Sequence, residues 1–128
     1  MNSQNRNKSE KNIFSSNIID LSYLEKSLAG DLEMLKQMIQ LFINQSPEKV
    51  KLLNNSVSEK RFDIIKETSH FLKSTFSIMG LKSINDLIKI EQLSAEEKEY
   101  NTIVILNKKV MDNFDESLAE FKKIISKL

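Results

Sequence analysis

Residues 61–80 read RFDIIKETSHFLKSTFSIMG, and the fold is decided there. Ile65, Ser69, Leu72, Phe76 and Met79 recur three or four residues apart, with Phe62, Ile64, Thr68 and Thr75 widening the same face. A 3.6-residue period over that length predicts an amphipathic helix from about Arg61 to Met79. Gly80 follows the last apolar residue, where a glycine in left-handed conformation ends a helix cheaply.

The same period extends in both directions. Upstream, Ser22 and Glu25 have capping-box spacing, and Leu21, Leu24 and Leu28 mark a short first helix that Gly30 can end. Asp31 is a good N-cap for a second helix with Leu32, Leu35, Met38, Ile39 and Phe42 on one face. Pro47 has no amide hydrogen and clashes with the carbonyl four residues back. A kink is expected there, or a restart with Ser46 as N-cap, before Val50, Leu53 and Val57 continue the stripe. Downstream, a fourth helix starts near Lys82 or Ser83 with Ile84, Leu87, Ile88 and Leu93 facing inward. SAEEKEYN reads as a loop or frayed turn. In the last helix Ile103, Leu106, Val110, Phe114, Leu118, Phe121, Ile125 and Leu128 hold one stripe.

Four substantial amphipathic helices with short connections bury their faces most simply against one another. The expected fold is all-α: an antiparallel four-helix bundle over residues 17–128, with the short additional N-terminal helix as a lid. Residues 1–16 are mostly Asn, Ser, Lys and Gln and read as a flexible polar leader. Two Gly, one Pro and no Asn-Gly pair argue against a hairpin-rich β fold. Nineteen basic and eighteen acidic residues give a formal net charge of +1, with no basic excess for nucleic acid. Without cysteine there is no disulfide framework or thiolate metal site. No apolar run reaches the ~18 residues of a membrane span, and the polar N-terminus lacks the apolar core of a secretory signal. The expected compartment is the cytoplasm.

The one histidine of the chain, His70, lies on the third helix away from the centre of its apolar stripe. Its face collects Asp63, Lys66, Glu67, Lys73, Ser74 and Ser77, so the ring is expected to meet solvent. Lys73, three residues on, shares that face, and both side chains can meet one small anionic group. A lone surface histidine most often has no assigned task, a surface lysine is most often a solvated charge, and Gly80 alone is a plain helix stop. Their conjunction at fixed spacing is what carries information. There is no Gly-rich nucleotide loop and no kinase motif set. A single His cannot build a multi-His metal site, and Glu96-Glu97 falls on a polar loop.

HFLKSTFSIMG, residues 70–80, resembles the signature of the histidine-containing phosphotransfer (HPt) family, His-x-Leu-Lys-Gly-(Ser/Ala) with a Gly ten residues after the His. The resemblance runs over roughly residues 18–128. IDLSYLEKSLAGDLEMLKQMIQLFINQSPEKV is similar to the family's N-terminal pattern, and INDLIKIEQLS to the helix after the signature. The family's Gly after the Lys is Ser74 here, still small, and Phe76 stands where small residues are frequent. The resemblance implies a phosphotransfer intermediate of a multistep His-Asp phosphorelay, accepting a phosphoryl group on His70 from a receiver aspartate and passing it to another receiver.

On that basis His70 is the expected phosphoacceptor. A neutral imidazole nitrogen is a competent nucleophile toward an acyl phosphate, and Lys73 can offset charge on the phosphoryl oxygens. In the family the metal belongs to the receiver, so no cofactor and no metal are expected in this chain, and no autonomous kinase activity. Expected partners are receiver domains of response regulators or hybrid sensor kinases, met by a monomer. The docking surface is expected at Lys66, Glu67, Phe71, Ser74, Ser77 and Ile78, with Met34 or Met38 from the second helix; Gly80 is structural. The alternative is a helical adaptor, a degenerate HPt domain that binds receivers or kinases without transferring phosphate.

Overall fold

The computed structural model describes residues 16–128. Helices α1 (Ser22–Leu28), α2 (Leu32–Ser58), α3 (Phe62–Met79), α4 (Ile84–Ala95) and α5 (Tyr100–Ser126) follow one another through short turns. Each long helix packs on two others, α2 on α3 and α5, and α4 on α3 and α5, so the four close into a bundle. α1 leans on α2 and α3 as the expected lid. Apart from a single antiparallel bridge between Ile19 and Leu81, no extended pairing occurs among the described residues.

The bundle closes because every long helix supplies one stripe to a common centre. Leu35, Ile39, Phe42, Val50 and Leu53 of α2 are buried with Ile65, Leu72, Phe76 and Met79 of α3. Four phenylalanines fill the middle: Phe42 lies 5.1 Å from Phe121 and 5.8 Å from Phe114, and Phe76 stacks on Phe114 at 6.1 Å. Phe76 therefore points inward, as its place on the α3 stripe requires. Truncating such a ring leaves a cavity that costs about 3–5 kcal/mol.

Several local expectations are corrected. Ser22 does not form a capping box: Leu21 is the N-cap of α1, and the Asp20 carboxylate accepts hydrogen bonds from both the amide and the hydroxyl of Ser22. Those bonds, the hydroxyl's first and the amide's second, hold the Asp20 carboxyl below its ordinary range. Ala29 as well as Gly30 takes a left-handed conformation at the end of α1, with φ of 49° and 84°. Asp31 caps α2 as expected, accepting from the Met34 amide at 3.0 Å. There is no restart at Pro47, because α2 is continuous and Ser46 is buried inside it. Burial of Phe42 and Val50 on either side of the proline outweighs the ~3 kcal/mol cost of its missing donor and ring clash. Leu32 is exposed at the start of α2. In α4, Ile90 is buried where Ile88 was expected, and Ile88 is 37% exposed.

The residues ahead of α1 form a strap across the turn between α3 and α4. The Asp20 amide donates to the Gly80 carbonyl at 2.8 Å, the Lys82 ammonium reaches the Asn17 carbonyl, and Ile19 and Leu21 are buried. Ser16 donates its hydroxyl to Glu120 of α5 at 2.8 Å, which ties the start of the strap to the bundle. The polar leader expected over residues 1–16 lies, Ser16 excepted, outside the described residues. Gly80 has φ +76°, and a Cβ on it would stand 1.7 Å from the Asp20 carbonyl oxygen. Glycine is needed there twice, for the turn and for the crossing chain.

Candidate functional site

His70 lies midway along α3, on the face turned from the core. Its neighbours Ser69 and Leu72 are fully buried, so the helix carrying it is fixed from below. Its own side chain is 68% exposed. Ser69 donates its hydroxyl within the helix, to the Ile65 carbonyl at 2.6 Å.

Two side chains of α3 converge on one carboxylate of α4. His70 Nδ1 lies 2.7 Å from Glu91 Oε2, and Lys73 donates from Nζ to Glu91 Oε1 at 2.8 Å. The Glu91 side chain is only 20% exposed, set between α3 and α4 beside the buried Leu87 and Ile90. Partial burial pushes its carboxyl up, yet the hydrogen bonds from Lys73 and then His70 outweigh that effect and hold it below the ordinary glutamate range. The small anionic group that His70 and Lys73 can share is thus built into the protein.

Sequence reasoning missed Glu91. Periodicity marks α4 as amphipathic, but nothing in one helix says which of its flanking carboxylates faces a residue 21 positions earlier. Its place next to Ile90, at the edge of the inward stripe rather than on the outer face, was the available signal.

The expected docking residues all reach the surface. Phe71 is 53% exposed and Ile78 37% exposed, and Lys66, Glu67, Ser74 and Ser77 are exposed. They do not form one patch. Phe71 and Ile78 border a groove of about 530 Å³ between α2 and α3, closed on the other side by Met38, Leu41 and Lys49. The Lys49 ammonium sits 5.0 Å from the centre of the Phe71 ring, a cation–π contact on the groove's rim. Ser74 and Ser77, with Lys73, instead line a recess of about 430 Å³ bordered by Tyr23, Ile84 and Ile88, and Ile78 touches both hollows. Lys66 and Glu67 lie a turn before His70. Met34 is 43% exposed and Met38 half-buried. Leu41, Tyr23 and Ile88 were not anticipated. Among the described residues no group of three or more His, Cys, Asp or Glu is arranged to hold a metal ion, and no helix is long and apolar enough to cross a membrane.

Comparison with known proteins agrees with this architecture. The model of the Hpt domain family matches residues 37–103, more than half of the chain, including His70, Lys73, Gly80 and Glu91. Among solved structures, the histidine-containing phosphotransfer protein B of Pseudomonas aeruginosa PAO1 superposes with a TM-score of 0.79 at 16% sequence identity. That match covers 89% of this chain and 99% of the other. The curated proteins contain no match. The chain belongs to the Hpt domain family and is a histidine-containing phosphotransfer protein of phosphorelays.

Proposed function

We propose that His70 is the phosphoacceptor, taking the group from the aspartyl phosphate of one receiver domain and passing it to the aspartate of another. The observation that carries this reading is the exposed His70 ring, with an ammonium and a carboxylate beside it on a helix whose opposite face is locked in the core. Transfer goes through a loose transition state, so positioning and charge do most of the work. Lys73 supplies the charge. Its side chain is two-thirds buried and its ammonium is tied to Glu91, the carboxylate that the His70 ring also meets.

A receiver must bring its aspartate to His70. The two hollows flanking α3 provide grip on either side of the histidine, with Phe71 and Ile78 as apolar anchors and Ser74 and Ser77 leaving room for approach. Small apolar patches ringed by polar side chains suit brief encounters. Lys66 and Glu67 extend the rim. The chain acts in this reading as a monomeric cytoplasmic carrier, with no kinase activity and no cofactor or metal of its own.

The test is phosphotransfer from a phosphorylated receiver. The wild-type chain should gain acid-labile phosphate, and His70→Gln should gain none while melting at nearly the same temperature. A chain that binds phosphorylated receivers but never becomes labelled would be an adaptor instead.

A further inference from the structure

Side chains four residues apart on a helix are neighbours, with Cβ atoms about 5–6 Å from each other, and each leans toward the helix N-terminus. Ser74 stands in that relation to His70 and leans toward it. At about 100° per residue, Ser74 lies about 40° around α3 from His70, and Lys73 lies about 60° to the other side. The Lys73 side is the one facing α4, since its ammonium and His70 Nδ1 both meet Glu91. The ring nitrogen left open, Nε2, is across the ring from that contact, on the side that Ser74 occupies. Ser74 is exposed, and among the described residues its hydroxyl has no hydrogen-bond partner. Ser56, Ser58 and Ser69 of α2 and α3 instead return their hydroxyls to the carbonyl four residues back. A free donor therefore stands beside the exposed ring, at the position where the family pattern has a glycine with no side chain.

We infer that Ser74 is a phosphoryl-binding residue, whose hydroxyl donates a hydrogen bond to an oxygen of the phosphoryl group on His70 and so lengthens the time the chain holds that group. This rests on the reading of His70 as the phosphoacceptor. On uptake the Nε2 lone pair forms the N–P bond. The P–O bond to the receiver aspartate breaks, and the aspartate leaves as a carboxylate with the bonding pair. The Ser74 hydroxyl keeps its proton throughout and turns toward the oxygens brought beside it. A phosphoryl group carries about two negative charges on three strong acceptor oxygens, and hydrogen bonds to charged acceptors are stronger than those between neutral groups. Lys73 brings charge from the α4 side, and Ser74 brings a directed donor from the other. A loose, metaphosphate-like transition state carries less charge on each oxygen than the phosphoryl group on the ring does. The donor therefore holds the phosphorylated state more tightly than the transition state for release, and a glycine or alanine at residue 74 would give up that hold.

The test labels the full chain with phosphoramidate, removes the donor, and follows loss of the phosphoryl group at neutral pH by intact mass. Ser74→Ala should shorten the half-life of the labelled chain about 5-fold, the worth of one net hydrogen bond, and Ser74→Gly at least as much. Ser74→Thr, which keeps a hydroxyl, should recover most of the wild-type half-life. Alanine removes the donor without enlarging the site and is a better helix former than serine, so a shorter half-life in Ser74→Ala is not a loss of fold. The phosphorus NMR resonance of the labelled chain should move in Ser74→Ala and stay near the wild-type position in Ser74→Thr, which a merely structural serine would not produce. Mixed with a receiver to equilibrium, Ser74→Ala should hold about 5-fold less phosphoryl group relative to the receiver than the wild type does, a ratio that does not depend on how fast the two dock. Equal half-lives and equal partition in wild type and Ser74→Ala, or an acid-stable phosphate mapped to Ser74 itself, would overturn the inference and leave His70 as acceptor untouched in the first case. A wild-type chain that takes no label would overturn the reading of His70, and this inference with it.

Discussion

Gly80→Ala replaces one hydrogen by a methyl group, and the structure assigns it an unusually large cost. Alanine in the left-handed conformation of Gly80, φ +76°, costs about 1–2 kcal/mol on backbone grounds alone. The second cost is the strap. The added Cβ would lie 1.7 Å from the Asp20 carbonyl oxygen, a backbone atom that no rotamer change can move aside. Residues 19–21 must therefore lift. Lifting breaks the Asp20–Gly80 hydrogen bond, worth about 1 kcal/mol, and begins to expose Ile19 and Leu21, each worth about 1.5–3 kcal/mol when fully buried. If the strap detaches, the sum is on the order of 5 kcal/mol or more, a large part of the ~5–15 kcal/mol that stabilises a domain. Gly30 provides the control. It also has positive φ, +84°, but nothing lies within 4 Å of the position its Cβ would take. Gly30→Ala should cost only about 1–2 kcal/mol. Urea unfolding of the two variants against wild type measures the difference, and loss of exchange protection at the Asp20 amide would locate it. A Gly80→Ala variant no less stable than Gly30→Ala would refute the argument from the crossing strap.

Lys73→Ala should slow receiver-to-His transfer about 10-fold without abolishing it, because a partly solvated ammonium is worth only ~1 kcal/mol; single-turnover transfer rates would measure this, and an unchanged rate would make Lys73 a spectator. Ser74→Trp and Ser77→Trp should fill the recess beside Lys73 and block transfer from a receiver, while phosphoramidate still labels His70 and the melting transition is kept; normal receiver transfer in both would place docking elsewhere. Glu91 has its carboxyl depressed in the folded state, so its contribution to stability is present above the unfolded carboxylate range, near ~4.3, and is lost as pH falls through the lower folded value. The stability gap between wild type and Glu91→Gln should accordingly close on acidification below pH ~4, and a gap that widens there would contradict the assignment.

The period-3.6 signal made α2 to α5 legible because burial of one face is a property of each helix alone. Phe76, Leu72 and Met79 sit in the core where that signal puts them, and His70 is exposed for the same reason. Gly80 was legible as a helix stop but not as a crossing point, since the chain that crosses it comes from 60 residues earlier and pairs at one bridge. Glu91 was hidden for a similar reason: a single cross-helix contact has no period. At Pro47 the local rule against proline inside a helix gave way to burial on both sides, which only packing reveals. Ser22 did not become the cap of α1 because its hydroxyl and amide are both taken by the Asp20 carboxylate, with Leu21 at the N-cap position.

The central claim is that the phosphoryl group resides on His70. The most direct measurement is incubation of the full chain with phosphoramidate, followed by intact mass spectrometry and fragmentation under conditions that spare N–P bonds. The expected result is one added phosphoryl group per chain, localised to His70, lost on brief acid treatment and absent from His70→Gln. No added mass, or a phosphoryl group mapped to a serine or lysine with His70 unmodified, would contradict it.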